Sequence, residues 1–263
     1  MKWTVAKIKA LKGVQKFAVL TAYDALSARY ADEAELPLIL VGDSLANTVL
    51  GYDTTLPVTM NEMIHHTAAA ARGATSAVIV ADMPFMSYQA GLDDALANAG
   101  RFLKEAHADA VKIEGGAIRV ELIERLIANG IPVLGHIGLT PQSVKETGYK
   151  MQGKSDEAAR QLMDDAMALE QAGVFAVVIE SVPPELAKKI TGALRVPVIG
   201  IGAGPHCDAQ VLVFTDIIGI GHGHIPGFVK QYAELKPQIQ SALATYKTEV
   251  EQGIFPAETK EPA

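Results

Sequence analysis

AVIVADMPFMSYQAGLDDALANAGRFLKEAHADAVKIEGG, residues 77–116, reads as one complete strand–helix–strand unit. Its ends, Ala77–Ala81 and Ala110–Ile113, are short apolar runs of aliphatic residues, the pattern of strands buried on both faces. Between them Leu92–Ala106 repeats its apolar residues at helical spacing. Neighbouring strands joined through a helix run parallel, since parallel pairs need a crossover of that length.

The same alternation extends in both directions. Phe17–Ala22 and Pro37–Gly42 precede the unit; Pro132–Gly135, Phe175–Ile179, Pro197–Ile201 and Ile217–Ile220 follow it. Further helices are expected at Ile118–Ala128 and Glu157–Ala172, the latter with Asp156 as its N-cap, and over Val229–Glu249 near the end. Gly130, Gly173 and Gly192 stand where helices should stop. Eight such runs in 263 residues suit a closed (β/α)8 barrel, because nothing marks the switch point of an open doubly wound sheet. No linker or low-complexity segment interrupts the chain. The expectation is therefore one domain over 1–263, with an N-terminal helix at about 1–16 packed under the barrel and a frayed tail from about 257.

Composition narrows the function. Hydrophobic residues make up 49% and charged residues 20%, a balance that excludes a disordered chain. The net charge of −7 and the absence of a dense basic cluster argue against nucleic acid. No apolar run is long enough to span a membrane. Cys207 is the only cysteine, which rules out an internal disulfide and fits a reducing compartment. The first sixteen residues carry five lysines, yet lack a signal peptide's apolar core and cleavage site.

Barrel enzymes place their chemistry at the carboxyl ends of the strands, so the residues closing each apolar run matter most. These are Gly42-Asp43-Ser44, Asp82-Met83-Pro84, Lys112-Ile113-Glu114, His136 and Glu180-Ser181. Side chains alternate along a strand, which puts Lys112 and Glu114 on one face and turns Glu180 inward with Val178 and Ala176. Acids gathered on consecutive strands need a cation to compensate them. A hard divalent ion such as Mg²⁺ suits oxygen ligands and keeps positions open to substrate. Asp43 and Asp82 are the candidate direct ligands, with Glu114 binding directly or through water. Lys112 offers positive charge to a substrate carboxylate. Glu180, at a partly desolvated mouth, suits a general base for proton abstraction beside a carbonyl. His136 reads equally as a catalytic group or a hydrogen-bonded core histidine.

Three other features carry less. Gly200-Ile201-Gly202-Ala203-Gly204 is not a G-x-G-x-x-G match and reads as a tight barrel turn. His222-Gly223-His224 has no further ligands beside it and reads as loop. His65 and His66 are adjacent on an Ala-rich helix and cannot share a face.

With these residues in view, the chain closely resembles the ketopantoate hydroxymethyltransferase family. The resemblance runs from Thr21-Ala22-Tyr23-Asp24 to the helix near Gly253. It rests on LVGDSLANTVLGYDTTLPVT, ADMPFMSY, VKIEGG, GHIGLTPQS, ESVP, PVIGIGAG and GHIPGFVKQYA. It implies a barrel of the phosphoenolpyruvate mutase/isocitrate lyase-like type and a Mg²⁺-dependent, aldol-type transfer. The one-carbon unit of 5,10-methylenetetrahydrofolate would pass to 3-methyl-2-oxobutanoate, giving 2-dehydropantoate for pantothenate synthesis. On the matching positions Asp43, Asp82 and Glu114 would hold the ion. Ser44 and Lys112 would contact the keto acid alongside Asp43 and Asp82, and Glu180 would remove its C3 proton to give a metal-stabilised enolate. Tyr23 and His136 would lie near the substrate. The resemblance also implies a cytoplasmic homodecamer. Tyr52 and Ser181 stand where many relatives carry His and Cys, and Ala209 replaces a common Gly. Two competing readings are weaker: a carbon–carbon lyase or phosphonomutase lacks support because no Lys-Lys-Cys-Gly-His block is present, and a non-catalytic scaffold would not need this set of acids.

Overall fold

The computed structural model describes residues 2–221 and 225–257. His222-Gly223-His224 and the tail from residue 258 lie outside the described residues. The chain forms two compact units, Met1–Val213 and Phe214–Ala263.

The larger unit is a closed barrel of eight parallel strands in sequence order, with β8 pairing back onto β1. The strands are β1 (Phe17–Thr21), β2 (Leu38–Val41), β3 (Val78–Asp82), β4 (Ala110–Glu114), β5 (Val133–Gly138), β6 (Ala176–Glu180), β7 (Val198–Ile201) and β8 (Ala209–Leu212). The helices of this unit are α1 (Val5–Lys9), α2 (Ala25–Glu33), α3 (Leu45–Thr48), α4 (Met60–Gly73), α5 (Leu92–Ala106), α6 (Val120–Ala128), α7 (Val144–Thr147), α8 (Asp156–Gln171) and α9 (Pro184–Ala193).

Alternation along the strands sends Val19, Leu38, Leu40, Val78, Val80, Leu134, Val178, Ile199 and Val211 into one interior cluster. Burying each such aliphatic side chain contributes about 1.5–3 kcal/mol relative to exposure. Ile8 of α1 is fully buried in the same cluster, and Trp3 and Val5 pack against it. This closes the amino-terminal end of the barrel. The helical part of the N-terminal segment is much shorter than the sixteen residues expected from sequence, because only Ile8 within α1 is buried and the chain turns at Gly13.

Sequence and structure also part at the last strand. The run Ile217–Ile220 is not a strand: α10 occupies Phe214–Ile217 and a turn follows, while β8 lies earlier, over Ala209–Leu212. β8 escapes the search for continuous apolar runs because Gln210 is exposed; its burial alternates, as in a strand covered on one face only. The terminal helix α11 runs Leu235–Glu251 rather than from Val229. Pro237 sets that start, since a proline ring clashes with the carbonyl four residues earlier in a continuous helix. Two caps differ as well. Ser155, not Asp156, caps α8 by accepting from the Ala158 N–H at 3.2 Å, and Asp156 is the first helical residue. Gly192 lies inside α9, whose chain leaves into an extended Leu194 and needs no left-handed residue.

In the smaller unit α10 and α11 are tied by Tyr232 N–H to Ile217 O (2.7 Å) and Leu235 N–H to Ile218 O (3.1 Å). No residue of α11 is buried. Among the described residues no helix is long and apolar enough to cross a membrane.

Candidate active site

Strand register decides which side chains meet at the carboxyl end. Asp82 of β3 is level with Lys112 of β4, Glu114 with His136 of β5, and Gly138 with Glu180 of β6. Lys112 sits at the centre. Its Nζ lies 2.9 Å from Asp82 Oδ1, 3.6 Å from Glu114 Oε1 and 3.0 Å from His136 Nδ1. Asp43, which follows β2, donates its backbone N–H to Asp82 Oδ2 at 3.1 Å. His136 Nε2 faces Glu180 Oε2 at 3.3 Å. Tyr23 and Ser44 form a separate pair beside this group, hydroxyl to hydroxyl at 2.8 Å. His66, on α4, places Nδ1 2.7 Å from the Tyr23 carbonyl and so has a supporting role the sequence did not suggest.

The electrostatics follow from burial. Asp43, Asp82, Lys112, Glu114 and His136 are each under 5% exposed. Burial, and then the neighbouring Asp82 and Glu114 charges, push the Asp43 carboxyl well above the usual carboxylate range. Asp82 is raised chiefly by burial despite Lys112 beside it. Burial also opposes ionisation of Glu114, but Lys112, His136 and the Gln142 N–H outweigh it and hold that carboxyl low. Lys112 stays protonated because Asp82, Glu114 and Asp43 overcome its desolvation. For His136, burial and Lys112 disfavour the charged ring while Glu114 and Glu180 favour it, and the carboxylates prevail. An ammonium can only donate, so in neutral His136 the Nδ1 accepts from Lys112 and the proton sits on Nε2, which lies 3.3 Å from Glu180 Oε2 without good hydrogen-bond geometry.

Backbone contacts fix Glu180. Its carbonyl accepts from the Leu139 N–H at 2.8 Å, and Ser181 adopts a left-handed φ of 48°. A Cβ at Gly138 would lie 2.3 Å from that carbonyl, so only glycine permits the approach. The glycine run after β7 is likewise consumed by packing: Cβ atoms at Gly200 and Gly204 would meet Cys207 and Pro184.

Two buried residues at this end, Gln142 and Tyr88, were missed. Gln142, in the turn Pro141–Ser143, donates its backbone N–H to Glu114 Oε2 (3.1 Å) and its amide Nε2 to Asp43 Oδ2 (3.0 Å) and Met83 O (2.9 Å). Tyr88 donates its hydroxyl to Gln142 Oε1 at 2.6 Å. The only sequence signal was position, since Gln142 lies in the loop that leaves β5.

Among the described residues no three carboxylate, imidazole or thiol groups converge tightly enough to form a ready-made chelate. The donor set nevertheless fits a hard cation held by two carboxylates, leaving coordination positions for substrate and water. Three buried acids face one ammonium. Glu114 Oε1 is buried without a hydrogen bond of good geometry, the Lys112 ammonium lying 3.6 Å away.

The family model for ketopantoate hydroxymethyltransferase matches residues 2–258. The chain is 54% identical over 257 residues to the 3-methyl-2-oxobutanoate hydroxymethyltransferase of Carboxydothermus hydrogenoformans, covering 97% of this chain and 93% of the relative. Among solved structures, the phosphoenolpyruvate phosphomutase of Streptomyces platensis subsp. rosaceus superposes with a TM-score of 0.62 at 18% identity, over 95% of this chain and 88% of that one. A 2,3-dimethylmalate lyase of the PEP mutase/isocitrate lyase superfamily gives 0.61 at 16%, over 100% and 93%. Those two likenesses place the barrel among phosphoenolpyruvate mutase/isocitrate lyase-like folds. The match along nearly the whole sequence says more: this chain belongs to the ketopantoate hydroxymethyltransferase family.

Proposed function

We infer that the chain transfers a hydroxymethyl group from 5,10-methylenetetrahydrofolate to 3-methyl-2-oxobutanoate, giving 2-dehydropantoate and tetrahydrofolate. Its relatives support the reaction. The cluster of Asp43, Asp82 and Glu114 around Lys112, with Glu180 joined to it through His136, is the observation that supports the assignment of roles.

In this reading Asp43 and Asp82 hold Mg²⁺, with Glu114 closing the set directly or through water. When bound, the ion supplies Lewis-acid polarisation of the keto group, worth several kcal/mol. Lys112 and Ser44 bind the keto acid, Tyr23 orients the Ser44 hydroxyl, and Lys112 offsets the negative charge of the acids. A Glu180 carboxylate oxygen takes the C3 proton, and the C–H electron pair passes into an enolate. His136, with Nε2 3.3 Å from Glu180 Oε2, stands directly against that carboxylate. The C3 carbon then forms a bond to the methylene carbon of the folate, whose two bonds to nitrogen break, the nitrogens taking up the proton removed from C3 and one from water. Water supplies the oxygen of the new hydroxyl group. The assembly belonging to this reading is a cytoplasmic homodecamer, which sedimentation would report as ten times the 27.9 kDa of the chain.

The deciding experiment follows C3 hydrogen–deuterium exchange of the keto acid with Mg²⁺ and no folate. Exchange is expected in the wild-type protein and should fall by about 10²–10⁴-fold in Glu180→Gln, with keto-acid binding retained. Undiminished exchange in that variant would move the base elsewhere. Normal exchange without product on adding the folate would instead remove the donor assignment.

A further inference from the structure

Each of the three acids has one oxygen held by an uncharged N–H. Asp82 Oδ2 takes the Asp43 backbone, Glu114 Oε2 takes the Gln142 backbone, and Asp43 Oδ2 takes the Gln142 side chain. Gln142 thus supplies two of the three restraints, one to Asp43 after β2 and one to Glu114 of β4. We propose that Gln142, locked by Tyr88, is a positioning residue that confines Asp43 and Glu114 to offering a single oxygen each, and thereby sets the site's preference for a small divalent cation. The inference rests on the reading of these acids as metal ligands.

The argument begins with the amide itself. Tyr88 donates to Oε1 at 2.6 Å, with Gln89 Nε2 a distant second donor at 3.4 Å. Both hydrogens of Nε2 are used, on Asp43 Oδ2 and on Met83 O. A flipped amide would aim Oε1 at a carboxylate and a carbonyl while setting Nε2 against the Tyr88 donor, so the orientation is fixed. Burial, then the Glu114 and Asp82 charges, raise the Tyr88 phenol well above its ordinary value and keep it a donor. Arg119 lies over the Tyr88 ring, 5.2 Å from its centroid, and holds it from the other side.

Chemistry explains why an amide suits this place. A lysine or arginine would restrain Asp43 equally well but would add a charge that competes with a cation. Gln142 orients the carboxylate and leaves its charge intact. Pinning one oxygen also matters for ion size. Mg²⁺ demands near-octahedral single-oxygen ligation at about 2.0–2.1 Å, whereas Ca²⁺ accepts swinging, two-oxygen carboxylates at about 2.3–2.6 Å. Releasing Asp43 Oδ2 should penalise the smaller ion selectively.

The test is calorimetric titration of the full chain with Mg²⁺ and, separately, Ca²⁺, in wild type, Gln142→Leu and Tyr88→Phe. Loss of an outer hydrogen-bond partner typically costs about 10–100-fold in metal affinity. Gln142→Leu should weaken Mg²⁺ by about that factor while Ca²⁺ changes by less than about threefold, and Tyr88→Phe should move the ratio the same way by less. Gln142→Leu retains the backbone N–H to Glu114, so only Asp43 is freed. If Gln142→Leu does not fold, Tyr88→Phe decides, because it frees the amide to turn without touching any carboxylate, giving up besides only the long 3.5 Å contact to the Glu114 backbone carbonyl. An unchanged Mg²⁺/Ca²⁺ ratio, or an equal fall for both ions as general loosening would give, overturns the proposal. Wild-type protein that binds neither ion would overturn the metal-ligand reading along with it.

Discussion

The two ends of the barrel use aspartate in opposite ways. At the amino-terminal end Asp32 accepts from the backbone of Thr75, Ser76 and Ala77 and from the Thr75 hydroxyl, at 2.7–3.2 Å, tying α2 to the chain entering β3. Asp109 does the same for Ile79 N–H, and Asp208 for Val198 N–H and Lys12. Partial burial opposes the charge of Asp32, but these donors outweigh it and hold its carboxyl below the ordinary value. At the other end Asp43 receives one side-chain donor and faces two further acids, and its carboxyl is pushed well up. An acid satisfied by backbone donors is structural. An acid buried short of satisfaction is prepared for something that has yet to bind.

Changing each end in turn tests that contrast. The largest effect is expected from Lys112→Met, which leaves three buried acids without their shared cation. Loss of one partner in a buried pair costs about 3–5 kcal/mol, to be read from denaturant unfolding without metal. Unchanged stability would mean that Lys112 is not what holds these acids together. Asp32→Ala, at the opposite end, should cost about 2 kcal/mol through lost charge-assisted hydrogen bonds, yet leave C3 exchange untouched. A fall in exchange matching the fall in stability would erase the distinction between the ends.

The smallest effect concerns pH, and the two aspartates have opposite signs. Asp32 is lowered in the folded state, so its contribution is present above the unfolded value near 3.8 and disappears as pH falls through the folded one. Asp43 is raised, so the metal-free fold is favoured at low pH and loses stability as pH climbs from 3.8 through the folded value. Mg²⁺ must displace that proton. The stabilisation conferred by Mg²⁺, read as the rise in melting temperature on adding it, should therefore grow from mildly acidic to mildly alkaline pH, by at most about 1.4 kcal/mol of free energy per pH unit for one proton. A Mg²⁺ effect independent of pH would show that Asp43 is already ionised.

Much of this was readable from sequence where one physical rule acted alone. Two-residue alternation was enough to put Lys112 and Glu114 on one face and to turn Glu180 inward with Val178, because β4 and β6 are short, regular and covered on both sides. The same rule misplaced β8, where an exposed Gln210 breaks the apolar run. Gln142 was invisible for another reason. Its partners are Asp43, Met83 and Glu114, which are far from it in the chain and reach it only because the barrel closes. A neutral amide on a loop has no periodicity to betray it.

The plug formed by Trp3, Val5 and Ile8 has a consequence for traffic. With Ile8 sealed into the interior, the barrel has a floor at its amino-terminal end, and the Asp43, Asp82, Glu114 and Lys112 cluster stands at the opposite rim. A visitor meets those acids at the rim and never along the barrel's axis, which side chains fill.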